Sequence, residues 1–252
     1  MTAPGTEWRP GGERPGAGPL GLRGAVALPG RYPLPRQVTR PPERVRRDVG
    51  LLAIEGAIDA VVIAAALAET RARITLAEAL LAERHPGIAV GRDAFAMTEV
   101  SSRGGERFDL LFAAGSEASR AVERIAWEGP WVPLIRGALG EDAKCMCGVV
   151  YSRPGAPEQA WHADGGHLSR VADWAGAGAA GPYAVCVFVP LIDLGPEVGF
   201  TQFWPGSHQT DGLVGFGAAA ELVGATWDGM MPAGSAVLYD YRCAGGPPRP
   251  AA

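Results

Sequence analysis

Hydrophobic periodicity changes along the chain, from helical spacing in the first half to short apolar runs in the second. Leu51–Glu55 is a short apolar run that predicts a strand. The helices predicted after it are 58–70, 75–84 and one that begins after Ser116. The second of these opens on the capping-box pattern Thr75-Leu76-Ala77-Glu78 and stops at Pro86-Gly87. We expect these helices to flank a sheet.

From Cys145 onward, short apolar runs are bounded by glycine and proline. The strands predicted there are 145–152, 159–164, 183–191, 199–204 and 236–241. Short strands at such spacing are typical of an all-β sandwich or barrel. Residues 165–182, rich in glycine and alanine, are expected to form a long loop between two of the strands.

The first 47 residues contain many prolines, glycines and arginines and show neither helical nor alternating periodicity. Such a segment has too few large apolar residues to offset the entropy of ordering. We therefore expect a disordered arm over 1–47 and an ordered domain over 48–252. Deleting residues 1–45 should leave the melting temperature nearly unchanged.

Composition limits the classes of function. The chain has 252 residues, of which 47% are hydrophobic, which is enough for one domain with a substantial core. Its net charge is −4 with no basic stripe, which argues against nucleic acid as a partner. The longest apolar stretch, 51–68, contains Glu55 and Asp59, so we predict no membrane span. Four cysteines without a secretory signal favour reduced thiols and a cytoplasmic location.

The segment Trp161-His162-Ala163-Asp164 contains the most specific chemistry of the chain. On an extended strand, side chains two residues apart project from one face, so His162 and Asp164 would converge. Two histidines and one carboxylate form the facial triad that holds Fe(II) and leaves positions open for a co-substrate and oxygen. His162 and Asp164 are candidates for two of these three ligands.

Segments 161–164, 199–208 and 234–242 together resemble the phytanoyl-CoA dioxygenase family of Fe(II)/2-oxoglutarate oxygenases. The resemblance implies a mainly β fold with flanking α-helices, a double-stranded β-helix (jelly roll, cupin-like), and oxidation of a small organic substrate. It also implies a second histidine ligand where this sequence has Gly245, and about ten residues later an arginine that binds 2-oxoglutarate. Neither is found in the sequence, so the domain is expected to be C-terminally incomplete and weakly active or inactive.

The resemblance also suggests residues that line the co-substrate and the substrate. By rough spacing, 2-oxoglutarate would contact Arg107, Met146 on the strand before the motif, and Trp174 in the following loop. Surface or core packing explains these three residues equally well. The candidates for a substrate pocket are the large aromatics Trp161, Phe188 and Trp204, although such residues more often belong to the core.

Three other residues are alternatives for the missing third ligand. His208 lies in a Pro-Gly-Ser-His turn, where a hydrogen bond that holds the loop is the simpler role, and His167 is expected in a solvated loop. Cys243 would share a strand face with Gly245, but thiolate ligation would be unusual for this chemistry.

Three functions remain open from the sequence. The first is a 2-oxoglutarate-dependent hydroxylase, intact through an unrecognised ligand or altered by an error in the gene sequence. The second is a non-catalytic descendant whose jelly roll binds a small molecule. The third is a β domain stabilised by zinc on Cys145 and Cys147, whose spacing differs from that of common zinc motifs.

Overall fold

A computed structural model describes residues 49–112, 120–167 and 181–247. The predicted arm 1–47 and most of the predicted loop, including Trp174, lie outside these ranges. The α-helices are α1 (Ala60–Arg84), α2 (Arg120–Glu128), α3 (Val132–Leu139) and α4 (Gly217–Leu222). The strands are β1 (Leu51–Ile54), β2 (Phe95–Met97), β3 (Val100–Ser102), β4 (Arg107–Leu111), β5 (Gly148–Ser152), β6 (Val185–Phe188), β7 (Gln202–Phe203), β8 (Trp227–Asp228), β9 (Ala236–Asp240) and β10 (Gly245–Gly246).

The strands of the described ranges form three antiparallel sheets. Their orders are β1-β9-β6, β10-β7-β8 and β2-β3-β4-β5. Strand β9 is central in the first sheet, where Tyr239 pairs with Leu51 on one side and with Cys186 on the other. Directly paired residues project from the same face of a sheet, so this register decides which side chains can meet.

Alternation along β1 and β9 produces two separate cores. Leu52 and Leu238 face α1 and α2 and pack with Val62, Ile63 and other apolar residues of these helices. Leu51 and Val237 project from the opposite face and pack with residues of β7 and β8. Period-2 patterning therefore buries both faces of this sheet, as β9, which is almost fully apolar, predicts.

The two helices predicted over 58–70 and 75–84 are one continuous helix, α1. Asp59 caps its start by accepting a hydrogen bond from the Val61 amide at 2.7 Å, and the helix ends at Arg84, just before Pro86-Gly87. The buried positions of this helix explain its continuity, because they recur at helical spacing without a break. They are Val62, Ile63, Ala66, Thr70, Ile74, Ala77 and Leu81. The helix start predicted from the capping-box pattern at Thr75 is therefore wrong, since packing of this stripe outweighs a local start signal.

Several strand predictions were also wrong in extent or missing. Segment 159–164 is not a continuous strand, because only His162 makes a β-bridge. Strand β5 begins at Gly148, so Met146 lies before the strand rather than on it. Strands β2, β3 and β4 of the β2-β3-β4-β5 sheet were not predicted, and β2 and β3 have only three residues each, too few positions to show alternation.

Candidate metal and co-substrate site

His162 lies beside Gly245 through a pair of backbone hydrogen bonds. The His162 amide donates to the Gly245 carbonyl at 2.8 Å, and the Gly245 amide donates to the His162 carbonyl at 2.8 Å. The Gly165 amide also donates to the Tyr241 carbonyl at 2.8 Å. Residue 245, where the resemblance implies the second histidine ligand, thus lies next to His162 through an isolated bridge.

The imidazole of His162 is held in one tautomer. Its Nδ1 lies 2.8 Å from the Ala160 carbonyl oxygen, which can only accept, so Nδ1 carries the proton. In the neutral ring, Nε2 then has a lone pair that is available to a metal ion. Nε2 lies 3.7 Å from Oδ1 of Asp164. The predicted convergence of these two side chains is present.

The carboxylate of Asp164 is held from its other oxygen. Oδ2 accepts a hydrogen bond from the Tyr239 hydroxyl at 2.8 Å and lies 3.5 Å from the Cys186 thiol. Burial raises the pKa of Cys186 to about 11 and also raises the pKa of Tyr239, so both groups keep their protons at neutral pH. Oδ1 remains directed towards His162.

The third position of the expected triad has no ligand. Residues His162 and Gly245 are directly opposite, so a side chain at 245 would project on the same face as the imidazole. A Cβ at Gly245 would lie 3.4 Å from Thr201 Cγ2 and 3.5 Å from the Gln202 carbonyl oxygen, which are ordinary contacts. Within residues 49–112, 120–167 and 181–247, no group of three or more His, Cys, Asp or Glu could hold a metal ion. Two residues thus fit an iron centre and the third does not.

Cys243 does not replace the missing ligand. Its side chain is buried in the core beside β7 and β8, with the thiol 3.4 Å from the Trp204 carbonyl and 3.6 Å from the Ser207 hydroxyl. Burial raises the pKa of Cys243 to about 11. A protonated thiol that faces the core is a structural group. This agrees with the expectation that thiolate ligation by Cys243 would be unusual.

The two candidate histidines hold loops. His208 is buried against Gly50, whose φ of +78° and lack of a Cβ leave room for the imidazole. His167 Nε2 lies 2.9 Å from the His208 carbonyl oxygen, and its Nδ1 lies 3.5 Å from Asp211 Oδ1. These contacts join the segment after Asp164 to the turn that contains His208.

A half-open cleft of about 240 Å³ lies next to His162. Six of its thirteen lining residues are glycine, alanine or serine, and Arg242, Thr210 and Asp211 add polar groups. The guanidinium of Arg242 is engaged by Asp240 through two hydrogen bonds of 2.8 Å. The cleft therefore offers both apolar and polar contacts to a small molecule.

The predicted aromatic pocket does not line this cleft. Trp161, Phe188 and Trp204 are all absent from its wall. The Trp161 indole packs so closely over Gly217 and Gly246 that a Cβ at either glycine would overlap it. Trp161 is therefore a packing residue.

Two of the predicted co-substrate residues, Arg107 and Met146, are not among the residues that line this cleft. Arg107 lies on β4 opposite Ser152, outside the cleft, and Met146 is 90% exposed. Tyr239 and Cys186, which contact Asp164, were missed. Alternation within 236–241 could have placed Tyr239 on the same face as Val237, but only the β6–β9 register pairs Tyr239 with Cys186.

Comparisons with known proteins identify a family by its sequence pattern and show solved structures of similar fold. The sequence pattern of the phytanoyl-CoA dioxygenase (PhyH) family matches residues 46–245. AviO1 from Streptomyces viridochromogenes Tue57, known from a crystal structure, is 19% identical to this chain in sequence with a TM-score of 0.54. The match covers 81% of this chain and 85% of AviO1. The non-heme alpha ketoglutarate dependent epimerase SnoN from nogalamycin biosynthesis is 19% identical to this chain with a TM-score of 0.50, and the match covers 81% of this chain and 72% of SnoN.

HygX from Streptomyces hygroscopicus, crystallised with nickel and 2-oxoglutarate bound, is 16% identical with a TM-score of 0.52, over 84% of this chain and 82% of its own. At such identities these structures establish a shared fold. SnoN is alpha ketoglutarate dependent and HygX was crystallised with 2-oxoglutarate, the co-substrate that the resemblance implies. None of the helices in the described ranges combines the length and apolarity needed to cross a bilayer. Because the family pattern covers 46–245, the chain belongs to the phytanoyl-CoA dioxygenase family.

Proposed function

We propose that this protein is a small-molecule oxygenase of the Fe(II)/2-oxoglutarate type whose protein ligands are reduced to His162 and Asp164. The observation that carries the proposal is the convergence of His162 Nε2 and Asp164 Oδ1, 3.7 Å apart, with each side chain held by a hydrogen bond on its other polar atom. We further infer that the three antiparallel sheets belong to one double-stranded β-helix, as family membership and the shared fold support.

His162 and Asp164 would hold the metal ion, which, when bound with 2-oxoglutarate, would activate oxygen for oxidation of the substrate. With two protein ligands instead of three, metal affinity should be low, because a coordination position at Gly245 lacks a side chain. Low affinity and incomplete geometry predict weak turnover, or none, for the chain as given.

The cleft beside His162 is the proposed place for a small organic substrate. Its volume of about 240 Å³ favours a compact molecule, and its wall combines glycine, alanine and aliphatic residues with polar side chains such as Thr210, Asp211 and Arg242. All four cysteines are free thiols, which supports a reducing, cytoplasmic environment.

A second candidate is a non-catalytic protein that binds a small molecule in the same cleft. The absence of a side chain at Gly245 favours it, since the backbone pairing with His162 persists without the ligand. The third possibility, zinc on Cys145 and Cys147, receives no support from the described ranges, where no set of three ligands could hold a metal.

The deciding experiment measures succinate formation by the purified chain with Fe(II), ascorbate and 2-oxoglutarate under air, alongside Mn(II) affinity by isothermal titration calorimetry. We expect weak Mn(II) binding that Asp164→Ala abolishes, and little succinate. Asp109→Ala, a carboxylate removed from β4, is the matched control and should leave metal binding unchanged. Robust succinate production that depends on Asp164 would contradict the reduced-site proposal. Mn(II) binding that Asp164→Ala does not change would contradict the site itself.

A further inference from the structure

Tyr239 and Cys186 form a pair of hydrogen-bond donors next to Asp164 of the candidate metal site. They are direct cross-strand partners on β9 and β6, so their side chains project together from one face of the sheet. Both reach the same atom, Asp164 Oδ2, at 2.8 Å from the Tyr239 hydroxyl and 3.5 Å from the Cys186 thiol. The sequence gives no hint of this meeting, since the three residues are far apart along the chain.

The pair is built into the sheet rather than added at its surface. The Tyr239 ring lies 5.1 Å from the Phe203 ring between centroids, at an interplanar angle of 56°. Its backbone is paired on both sides, with Leu51 and with Cys186. Packing and pairing thus fix the position of the phenol, from which the hydroxyl donates to Asp164 Oδ2.

Donors on one oxygen determine what the other oxygen can do. With Oδ2 engaged by Tyr239 and Cys186, Asp164 presents Oδ1 towards His162 Nε2. A carboxylate held in this way binds a metal through one oxygen, and its rotation about χ2 is restricted. Asp164 lies on an irregular segment instead of a strand, so the backbone alone does not provide this restriction.

We infer that Tyr239 is a positioning residue that orients Asp164 for metal binding, with Cys186 as a second, weaker donor. This inference rests on the proposed function, because it assigns a role to Tyr239 through Asp164. Its consequence is that a chain with only two protein ligands depends strongly on the pre-orientation of each.

The test measures Mn(II) dissociation constants for the unsubstituted protein and for its Gly245→His variant, each with and without Tyr239→Phe. Loss of an outer hydrogen bond to a metal ligand typically weakens binding by about 10-fold to 100-fold, and we expect Tyr239→Phe to reach the lower end of this range. Tyr151→Phe, which removes a hydroxyl from a half-buried tyrosine of β5, should leave the constant unchanged.

A second pair of variants separates positioning from folding. Cys186→Ala should weaken Mn(II) binding, and Cys186→Ser, which keeps a donor, should restore it. The visible spectrum of bound Co(II) should shift in Tyr239→Phe but not in Tyr151→Phe, because only the first changes how the carboxylate is held.

Unchanged Mn(II) affinity and an unchanged Co(II) spectrum in Tyr239→Phe, while Asp164→Ala abolishes binding, would overturn the positioning role and leave the proposed function standing. If Mn(II) binds neither the chain as given nor Gly245→His, both the proposed function and this inference are overturned. The two failures are therefore distinguishable.

Discussion

The two sides of the candidate site differ in how they are built. On one side, the His162 imidazole donates a hydrogen bond to the Ala160 carbonyl, and Asp164 accepts hydrogen bonds from Tyr239 and Cys186. On the other side, Gly245 contributes only backbone pairing. The backbone pairing at the candidate site is therefore present at a position where a ligand side chain is lacking.

The reason lies in what holds each side. Strand β9 and the turn after it are stabilised by two apolar cores and by the buried Asp240–Arg242 pair, none of which contributes a metal ligand. Separate determinants of fold and of ligation predict that substitutions will affect either stability or metal binding, and the following variants test that separation.

The largest effect is expected from Arg242→Ala. The Asp240 side chain is 4% exposed, and removal of Arg242 would leave its charge without the guanidinium that pairs with it. Breaking a buried pair from one side typically costs about 3–5 kcal/mol. Chemical denaturation should show a loss of this size. Arg92→Ala, which breaks an exposed pair with Asp93, should leave the midpoint nearly unchanged. Equal effects of the two variants would contradict the scaffold role of Arg242.

The same pair predicts a dependence of stability on pH. Burial by itself would raise the pKa of Asp240, but the hydrogen bonds from Arg242 outweigh burial and hold the pKa below its usual range. A folded-state pKa below the unfolded value means that the pair stabilises the fold above the unfolded pKa, near 3.9, and that this stability is lost as pH falls further. The decline below about pH 4 should be smaller in Asp240→Asn.

Neighbouring glycines should respond differently to one added methyl group. Gly246 is buried beneath the Trp161 indole, which a Cβ would overlap, whereas Gly245 has space for a Cβ at ordinary contact distances. Overpacking of this kind costs about 1–3 kcal/mol, so Gly246→Ala should be destabilised by that amount and Gly245→Ala should be close to the parent. Thermal melting of the two variants makes the measurement. A destabilised Gly245→Ala would show that the third position is closed to side chains.

Sequence reasoning identified the parts of the site that belong to local motifs. His162 and Asp164 follow from a two-residue spacing, and the approach of Gly245 followed from the family resemblance. Arg107 and Met146 were assigned by spacing alone, and the structure places neither in the cleft, because distance along the chain does not determine which sheet a residue joins. Tyr239 and Cys186 depend on strand register, which apolar runs such as 183–191 and 236–241 specify only when paired.

The elements show the same division. Strands β1 and β9 and the end of α1 were predicted because runs of apolar residues and the Pro86-Gly87 stop are strong local signals. The break predicted at Thr75 was wrong because the buried stripe continues through Ile74 and Ala77. Strands of two residues such as β7, β8 and β10 are defined by their partners and have no periodicity of their own.

The smallest effect, and the most direct test of the comparison between the two sides, is expected from Gly245→His. The imidazole would start on the same face as His162, at a position where a Cβ meets only ordinary contacts. We expect Mn(II) affinity to rise by about tenfold, equivalent to about 1.4 kcal/mol, with little gain in succinate formation. Gly245→Leu adds bulk without a ligand and should give no gain, and Asp164→Ala in the Gly245→His background should remove it. A folded Gly245→His protein that binds Mn(II) no better than the parent would mean that residue 245 does not face the metal site.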